Sequence, residues 1–119
     1  TERAAYYAAA TVYACPTTRA SFGVTLLEAM AAGTPIVCTD LPGFRSVVTP
    51  GREAIVHPAH DVAALAQALV QVLRDASLRA RLSAHGVRRA HDFRWSVVAA
   101  QVLDAYARAG CNIGVEQVA

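Results

Sequence analysis

The fold of this chain is decided by residues 21–33, which read SFGVTLLEAMAAG. The stretch is almost wholly apolar, and it opens with Ser21, a residue type that is preferred at helix N-caps. It ends with Gly33, a residue type that commonly follows the last turn of a helix, and Pro35 cannot continue one. These signals predict a helix over residues 22–32 with Ser21 as its N-cap.

Short apolar runs on either side of this helix are typical of buried strands. They are residues 11–15 (TVYAC), residues 35–39 (PIVCT) and residues 54–57 (AIVH). Strands that alternate with a helix in this way predict a parallel sheet, so we expect an α/β domain with helices flanking that sheet.

The remaining segments predict further helices at residues 2–10, 44–48, 77–90, after the N-cap Asp61, and from about Ser96 onward. In the helix after Asp61, a single apolar face is expected from Val62, Leu65, Leu69, Val72 and Leu73. Residues 110–119 are expected to form a flexible tail, which leaves residues 1–109 as the domain.

Composition excludes several classes of protein. The chain has 119 residues, of which 55% are hydrophobic and 17% are charged, which is typical of a folded domain or of part of one. It contains no apolar run of the roughly 18 residues that cross a bilayer. The net charge of +2 gives no reason to expect a nucleic acid partner. All 11 basic residues are arginines, which excludes lysine Schiff-base chemistry and a lysine phosphate clamp within this chain.

The cysteines and the start of the chain give two further expectations. Cys15, Cys38 and Cys111 lie far apart in no zinc-binding spacing, so we expect small buried apolar side chains in a reducing, cytoplasmic compartment and no metal site. The chain begins with Thr1 inside a helical pattern, so we expect it to be a piece of a longer protein.

Glu28 is the only charged residue between Ala20 and Thr39, and a helix this apolar is mostly buried. Its carboxylate must therefore reach a cleft or solvent. Ser21 and Glu28 share a helix face at about 10 Å along the axis, which is roughly the distance from a diphosphate to the ribose of a nucleotide. Free N–H groups near Phe22, Gly23 and Val24 would form an anion-binding end. The alternative is an ordinary serine cap and a solvent-facing glutamate.

Several segments, in order, resemble one family, the retaining GT-B glycosyltransferases of glycosyltransferase family 4. They are SFG at 21–23, LEAMAAGTPIV at 27–37, DLPGFR at 40–45, DVAAL at 61–65 and RWS at 94–96. The later segments FRSVV at 44–48 and WSVVAAQ at 95–101 are most similar to phosphatidylinositol mannosyltransferases.

The resemblance implies that residues 1–109 are part of the second, C-terminal Rossmann-like domain of a GT-B enzyme, the half that binds a nucleotide sugar. Such an enzyme transfers a hexose, with mannose as the candidate, from a GDP- or UDP-linked donor to a lipid or glycan acceptor with retention and without a metal. It further implies that Glu28 binds the ribose hydroxyls, that the backbone of Phe22, Gly23 and Val24 holds the distal phosphate and sugar, and that Ser21 caps the helix.

One position departs from the family pattern, which has a first glutamate eight residues before the second. That position is Ala20 here, and a methyl group cannot accept hydrogen bonds from the sugar or stabilise positive charge on its ring. The catalytic residue is therefore left unassigned. The alternatives are a diverged, non-catalytic module that senses a nucleotide or binds a partner, and the related nucleotide-sugar 2-epimerase fold.

The resemblance also implies an acceptor-binding N-terminal domain that is expected to lie outside these 119 residues, so we expect the chain alone to be inactive. Five arginines lie in one helical stretch, namely Arg79, Arg81, Arg88, Arg89 and Arg94. They are interpreted either as a solvated helix face or as a contact with anionic lipid headgroups at the inner face of the cell membrane. The apolar face from Trp95 to Tyr106 is expected to be partly exposed without the N-terminal domain.

Overall fold

The computed structural model describes residues 2–20 and 22–110. The elements, in chain order, are α1 (Glu2–Ala9), β1 (Tyr13–Cys15), α2 (Val24–Ala31), β2 (Ile36–Thr39), α3 (Pro42–Arg45), β3 (Ala54–His57), α4 (Val62–Arg74), α5 (Ala76–His91) and α6 (Trp95–Arg108). The predicted helix and strand order is therefore confirmed.

The three strands form one parallel sheet in the order β1-β2-β3. Tyr13 pairs with Ile36, and Ile36 pairs with Ala54, so the three strands begin level with one another. Since parallel strands also end at a common edge, the segments that follow Cys15, Thr39 and His57 meet there. This sheet with its flanking helices confirms the predicted α/β, Rossmann-like class.

The sheet separates two apolar layers because alternate residues of a strand face opposite sides. On one side, Ile36 and Cys38 pack in a cluster with Leu26 and Met30 of α2. On the other side, Val37 packs in a second cluster whose helical members are Ala68 and Val72 of α4 and Leu78 and Leu82 of α5. The central strand β2 is fully buried, which explains its uninterrupted apolar sequence.

The predicted start of α2 is wrong. Its N-cap is Gly23, not Ser21, and the helix begins at Val24. Ser21 itself lies outside the described residues. A tertiary contact explains the later start, because the ring of Phe22 packs edge-on against Phe93 with a centroid distance of 6.1 Å and is held out of the helix. The predicted end of α2 is confirmed, since Gly33 follows its last turn with a φ of +77°.

Two other helices differ from their predicted form. The short helix α3 begins at Pro42, two residues earlier than predicted, because proline suits the first turn of a helix. In α4, Val62 is 78% exposed and Leu73 is about half exposed, whereas Ala68 and Val72 are buried. Leu65 and Leu69 are partly buried against the same cluster, so the predicted apolar face is confirmed at Leu65, Leu69 and Val72 and is wrong at Val62 and Leu73.

The structure also bears on the predictions for the cysteines, for the exposed face of α6 and for membrane crossing. Cys38 is buried as expected, Cys15 is only half-buried, and Cys111 lies outside the described residues, as does most of the predicted tail. On α6, Val102 and Tyr106 are about half exposed, which agrees with an apolar face that is partly open to solvent. No helix in the described part of the chain is both long and apolar enough to cross a membrane.

Candidate functional site

The N-terminus of α2 lies at the carboxyl edge of the sheet, because the helix returns antiparallel to the strands it connects. Its first intrahelical bond runs from the Leu27 N–H to the Gly23 carbonyl at 3.0 Å. The N–H groups from Gly23 to Leu26 therefore have no acceptor within the helix. Gly23 and Val24 thus lie at the helix end and Phe22 lies one residue before it, and the anion-binding role of these three residues stays a prediction.

This helix end differs from those of α4 and α5. Asp61 accepts a hydrogen bond from the Ala64 N–H at 2.9 Å, and Asp75 accepts one from the Leu78 N–H at 3.0 Å. Both helices carry their own carboxylate at the positive end of the helix dipole. The N-cap of α2 is a glycine, which has no side chain to fill that role. Its N-terminal N–H groups therefore receive no hydrogen-bond acceptor from the N-cap, which makes them suited to an external anion.

Glu28 lies in the second turn of α2, and its side chain is 33% exposed. Its Oε2 atom is 3.1 Å from Nε of Arg3 on α1. A cavity of about 470 Å³ opens beside this pair, and its remaining walls are Ala4, Tyr7 and Ala31. The expectation that this carboxylate must reach a cleft or solvent is therefore confirmed. No local sequence pattern indicates the contact with Arg3, which is 25 residues away in the chain.

A second cavity of about 610 Å³ lies at the carboxyl edge of β1 and β2. Its walls are Thr18, Arg19 and Ala20 after β1 and Leu41 and Pro42 after β2. Ala20 is half-buried and packs against the core. The position that lacks the expected glutamate therefore lines an open cavity. The structure places Ala20 and Glu28 in different cavities.

Sequence reasoning missed an ion pair at the same edge of the sheet. Asp40 follows β2 directly, and its two oxygens accept hydrogen bonds from Nε and Nη2 of Arg45 at 2.7 and 2.8 Å. The hydrogen bonds from the guanidinium hold the pKa of the Asp40 carboxyl below its usual range. The carboxylate stays ionised and is committed to Arg45. The five-residue spacing across the start of α3 could have suggested the contact.

His57 ends β3 at the same sheet edge and is buried. Its Nδ1 atom lies 3.1 Å from the Pro58 carbonyl, while Nε2 has no hydrogen-bond partner among the described residues. Within residues 2–20 and 22–110, no group of three or more His, Cys, Asp or Glu side chains could hold a metal ion. The described site thus offers backbone N–H groups, arginines and two carboxylates, of which Glu28 is paired with Arg3 and Asp40 with Arg45.

A family model described as glycosyl transferases group 1 matches residues 1–75. Among curated proteins, the chain is 44% identical over 118 residues to a phosphatidyl-myo-inositol mannosyltransferase of Mycobacterium leprae, which covers 98% of this chain and 32% of that protein. It is 39% identical over 112 residues to a D-inositol 3-phosphate glycosyltransferase of a Nocardioides species, covering 94% of this chain and 24% of that one. The chain thus spans at most about a third of these relatives.

Solved structures share the fold. The sucrose-phosphate synthase of Thermosynechococcus elongatus superposes with a TM-score of 0.78 at 32% identity, over 87% of this chain and 26% of that one. Anabaena Alr3699/HepE in complex with UDP-glucose superposes with a TM-score of 0.77 at 22% identity, over 91% of this chain and 30% of that one. The latter likeness speaks for the fold alone.

Proposed function

The chain belongs to the group 1 glycosyl transferases, and from this membership we propose that it is the donor-binding half of a retaining GT-B hexosyltransferase. The donor is a GDP- or UDP-linked hexose, with mannose as the candidate sugar. The mannosyltransferase relatives support mannose as the sugar.

The observation that carries the proposal is the position of Glu28. The core takes one side of α2, where Leu26, Ala29 and Met30 are buried. The helix nevertheless keeps one carboxylate, and it lines a cavity large enough for part of a small ligand. The pair with Arg3 involves only Oε2 among the described contacts, which leaves Oε1 as an acceptor for ribose hydroxyls.

The diphosphate of the donor would be held at the start of the same helix. The N–H groups of Val24 and Gly23 are about 6 and about 7.5 Å along the axis from Glu28, at 1.5 Å per residue. A nucleoside diphosphate whose ribose is at Glu28 can span this distance. The helix dipole favours its phosphates there, and the distal phosphate and sugar then face the cavity lined by Ala20.

The acceptor is proposed to bind elsewhere, on an N-terminal domain outside this chain. The names of the relatives, which include phosphatidyl-myo-inositol and D-inositol 3-phosphate, support an acceptor that carries an inositol phosphate, either as a lipid or as a soluble molecule. A lipid acceptor would place the enzyme in the cytoplasm at the inner face of the cell membrane. The chain alone is then a binding module and does not catalyse transfer.

Nucleotide titration of the full chain tests the proposal. GDP and UDP are titrated against the protein and its Glu28→Gln, Arg3→Gln and Glu2→Gln variants by ligand-observed NMR. Loss of a carboxylate acceptor should weaken binding by about tenfold, the lower end for a hydrogen bond to a charged group. Glu2→Gln, an exposed change on α1, should leave the affinity unchanged.

Arg3→Gln separates the carboxylate from its ion pair, because it removes the pair and keeps Glu28. We expect Arg3→Gln to retain most of the affinity. Binding that resists Glu28→Gln would refute the ribose role of this residue. Equal losses in Glu28→Gln and Arg3→Gln would assign the effect to the ion pair rather than to the carboxylate.

Ala20 favours a second candidate function, a module that binds the nucleotide and no longer positions its sugar. A short methyl side chain in the cavity at the sheet edge offers the hexose no acceptor. The two functions predict different selectivity. A sugar subsite in working order binds UDP-glucose or GDP-mannose more tightly than the bare diphosphate, whereas a sensor of the nucleotide binds both equally.

A further inference from the structure

A third cavity, of about 360 Å³, lies between α5 and the loop that precedes β3. One wall is formed by His85, Arg88 and Arg89 of α5 and by its C-cap Asp92, which recur at the spacing of one helix face. The opposite wall is formed by Thr49, Arg52 and Glu53. Every residue of the lining is polar or charged, and none of them lines the cavities beside Glu28 and Ala20. We call it the arginine cavity.

Both carboxylates of the arginine cavity already lie next to an arginine that balances their charge. Glu53 is 4% exposed, and its Oε2 accepts a hydrogen bond from the Thr49 N–H at 2.8 Å while Oε1 lies 3.7 Å from Nε of Arg52. Asp92 accepts a hydrogen bond from Nη1 of Arg89 at 3.2 Å. Each negative charge thus has its own guanidinium, and Arg88 supplies a further positive charge.

Arg89 has a structural role. Its Nε and Nη2 donate to the carbonyls of Val47 and Ser46 at 3.0 and 3.2 Å, and its guanidinium stacks over the Phe93 ring at 4.7 Å. These contacts fix α5 to the segment after α3. With its donors committed in this way, Arg89 shapes the wall of the cavity rather than offering groups to a ligand.

Arg88 and Arg52 keep donors to spare. The described hydrogen bond of Arg88 runs from Nη2 to Nδ1 of His85 at 3.0 Å, and Arg52 contacts Glu53 only at 3.7 Å. A guanidinium carries five N–H donors, so most of them are available in both residues. Because His85 accepts at Nδ1, its neutral ring carries the proton at Nε2 and offers one more donor.

We propose that the arginine cavity binds a phosphate monoester group, with Arg88 and Arg52 as the principal contacts and His85 as a third donor. Guanidinium groups match phosphate oxygens with paired, charge-assisted hydrogen bonds. Thr49 adds a neutral hydroxyl on the same wall. The volume is at the lower end of small-molecule sites, so the phosphate of a small soluble ester or of a lipid headgroup fits.

The test uses the full chain and two probes. Inorganic phosphate is titrated at constant ionic strength, with chloride as the compensating ion, while backbone amide shifts are followed by NMR. Vesicles of phosphatidylcholine, with and without phosphatidylinositol 4-phosphate, are then tested by co-sedimentation. Arg88→Gln is the main variant and Arg52→Gln the second. Arg81→Gln is the matched control, because Arg81 is an exposed arginine of α5 outside the cavity.

We expect saturable phosphate binding whose shifts cluster at residues 49–53 and 85–92. Arg88→Gln and Arg52→Gln should each weaken it by about tenfold, as for a lost charge-assisted hydrogen bond, and Arg81→Gln should leave it unchanged. Vesicle binding that the same two variants abolish identifies a lipid headgroup as the source. Phosphate binding without vesicle binding identifies a soluble ester.

Three results would overturn the proposal. The first is the absence of saturable phosphate binding, even if vesicles bind. The second is a set of shifts spread over all exposed arginines. The third is an equal loss in Arg81→Gln, which would mean that the whole basic face attracts anions without a site. Thermal unfolding of each variant verifies that the fold is retained.

Discussion

Two glycines at the contact between α2 and α5 should respond in opposite directions to the same substitution. Gly86 is a buried interior residue of α5, and a Cβ atom built on it would lie 3.5 to 3.7 Å from atoms of Met30. These are ordinary van der Waals distances, so an alanine fits without displacing α2. Glycine in a helix interior costs about 0.8–1.0 kcal/mol relative to alanine. Gly86→Ala should therefore stabilise the fold by about 1 kcal/mol.

Gly33 provides the matched opposite case. Its φ of +77° lies in the left-handed region, where a residue with a side chain pays about 1–2 kcal/mol. The new Cβ would also lie 3.2 Å from Oγ of Ser83, which is shorter than an ordinary van der Waals contact, although that side chain can rotate away. Gly33→Ala should therefore destabilise the fold by about 1–2 kcal/mol, with the backbone conformation as the larger cause.

Urea unfolding of the full chain measures both effects, with midpoint and slope fitted separately. Thermal unfolding gives a second measurement. A change of 1 kcal/mol in the free energy of unfolding shifts the Tm of a domain of this size by about 4 °C. Destabilisation by Gly86→Ala would mean that α5 lies closer to Met30 than the structure has it. A neutral Gly33→Ala would mean that α2 does not end in a left-handed residue.

Two further predictions concern ionisable groups. Burial raises the pKa of the Cys38 thiol to about 12. In a Cys15→Ser, Cys111→Ser background, Cys38 should therefore resist a thiol reagent at pH 8 until the chain unfolds. Labelling at the rate of a free thiol would contradict this. The hydrogen bonds from Arg45 lower the pKa of Asp40, so this pair contributes stability above the ordinary carboxyl pKa of about 3.9 and loses it as the pH falls through the lower, folded value. Carboxyl NMR should show the pKa of Asp40 rising towards its ordinary value in Arg45→Gln, and an unchanged titration would show that the pair does not persist in solution.

The parts of the fold that sequence reasoning predicted correctly depend on local chemistry. Asp61 was expected to cap the helix after it, and its side chain accepts the hydrogen bond from Ala64. Gly33 was expected to end α2, and it has the positive φ that this role requires. The strands were found because a fully buried parallel strand such as β2 has an uninterrupted apolar sequence. Each of these signals lies within a few residues of the feature it specifies.

The predictions that the structure corrects concern features set by contacts between residues far apart in the chain. The start of α2 is set by the packing of Phe22 on Phe93, two residues 71 positions apart, which no local pattern announces. Val62 is exposed because of the way α4 packs on the sheet. The apolar pattern of the sequence indicates only which face of the helix is buried. The ion pair between Arg3 and Glu28 likewise joins two helices that meet only in the folded chain.

The candidate site was predicted in part for the same reason. A carboxylate on an apolar helix has to leave the core, and that argument located the exposed side of α2 without knowledge of what covers it. No local pattern identifies α1 as the neighbour of Glu28. The donor-binding roles of Phe22, Gly23, Val24 and Glu28 stay predictions, as does that of Ser21 outside the described residues.

Packing alone accounts for a polar residue at position 28 but not for a carboxylate. Leu26, Ala29 and Met30 occupy the buried side of α2, so the position facing α1 is the side on which a polar group is tolerated. Glutamine would satisfy that constraint, and the exposed pair with Arg3 adds at most about 1 kcal/mol, the usual limit for a surface ion pair. A purely structural Glu28 would thus give a glutamine variant with nearly normal stability and unchanged nucleotide affinity. The donor-site role predicts the same small effect on stability together with weakened binding, and this difference is what separates a tolerated carboxylate from a functional one.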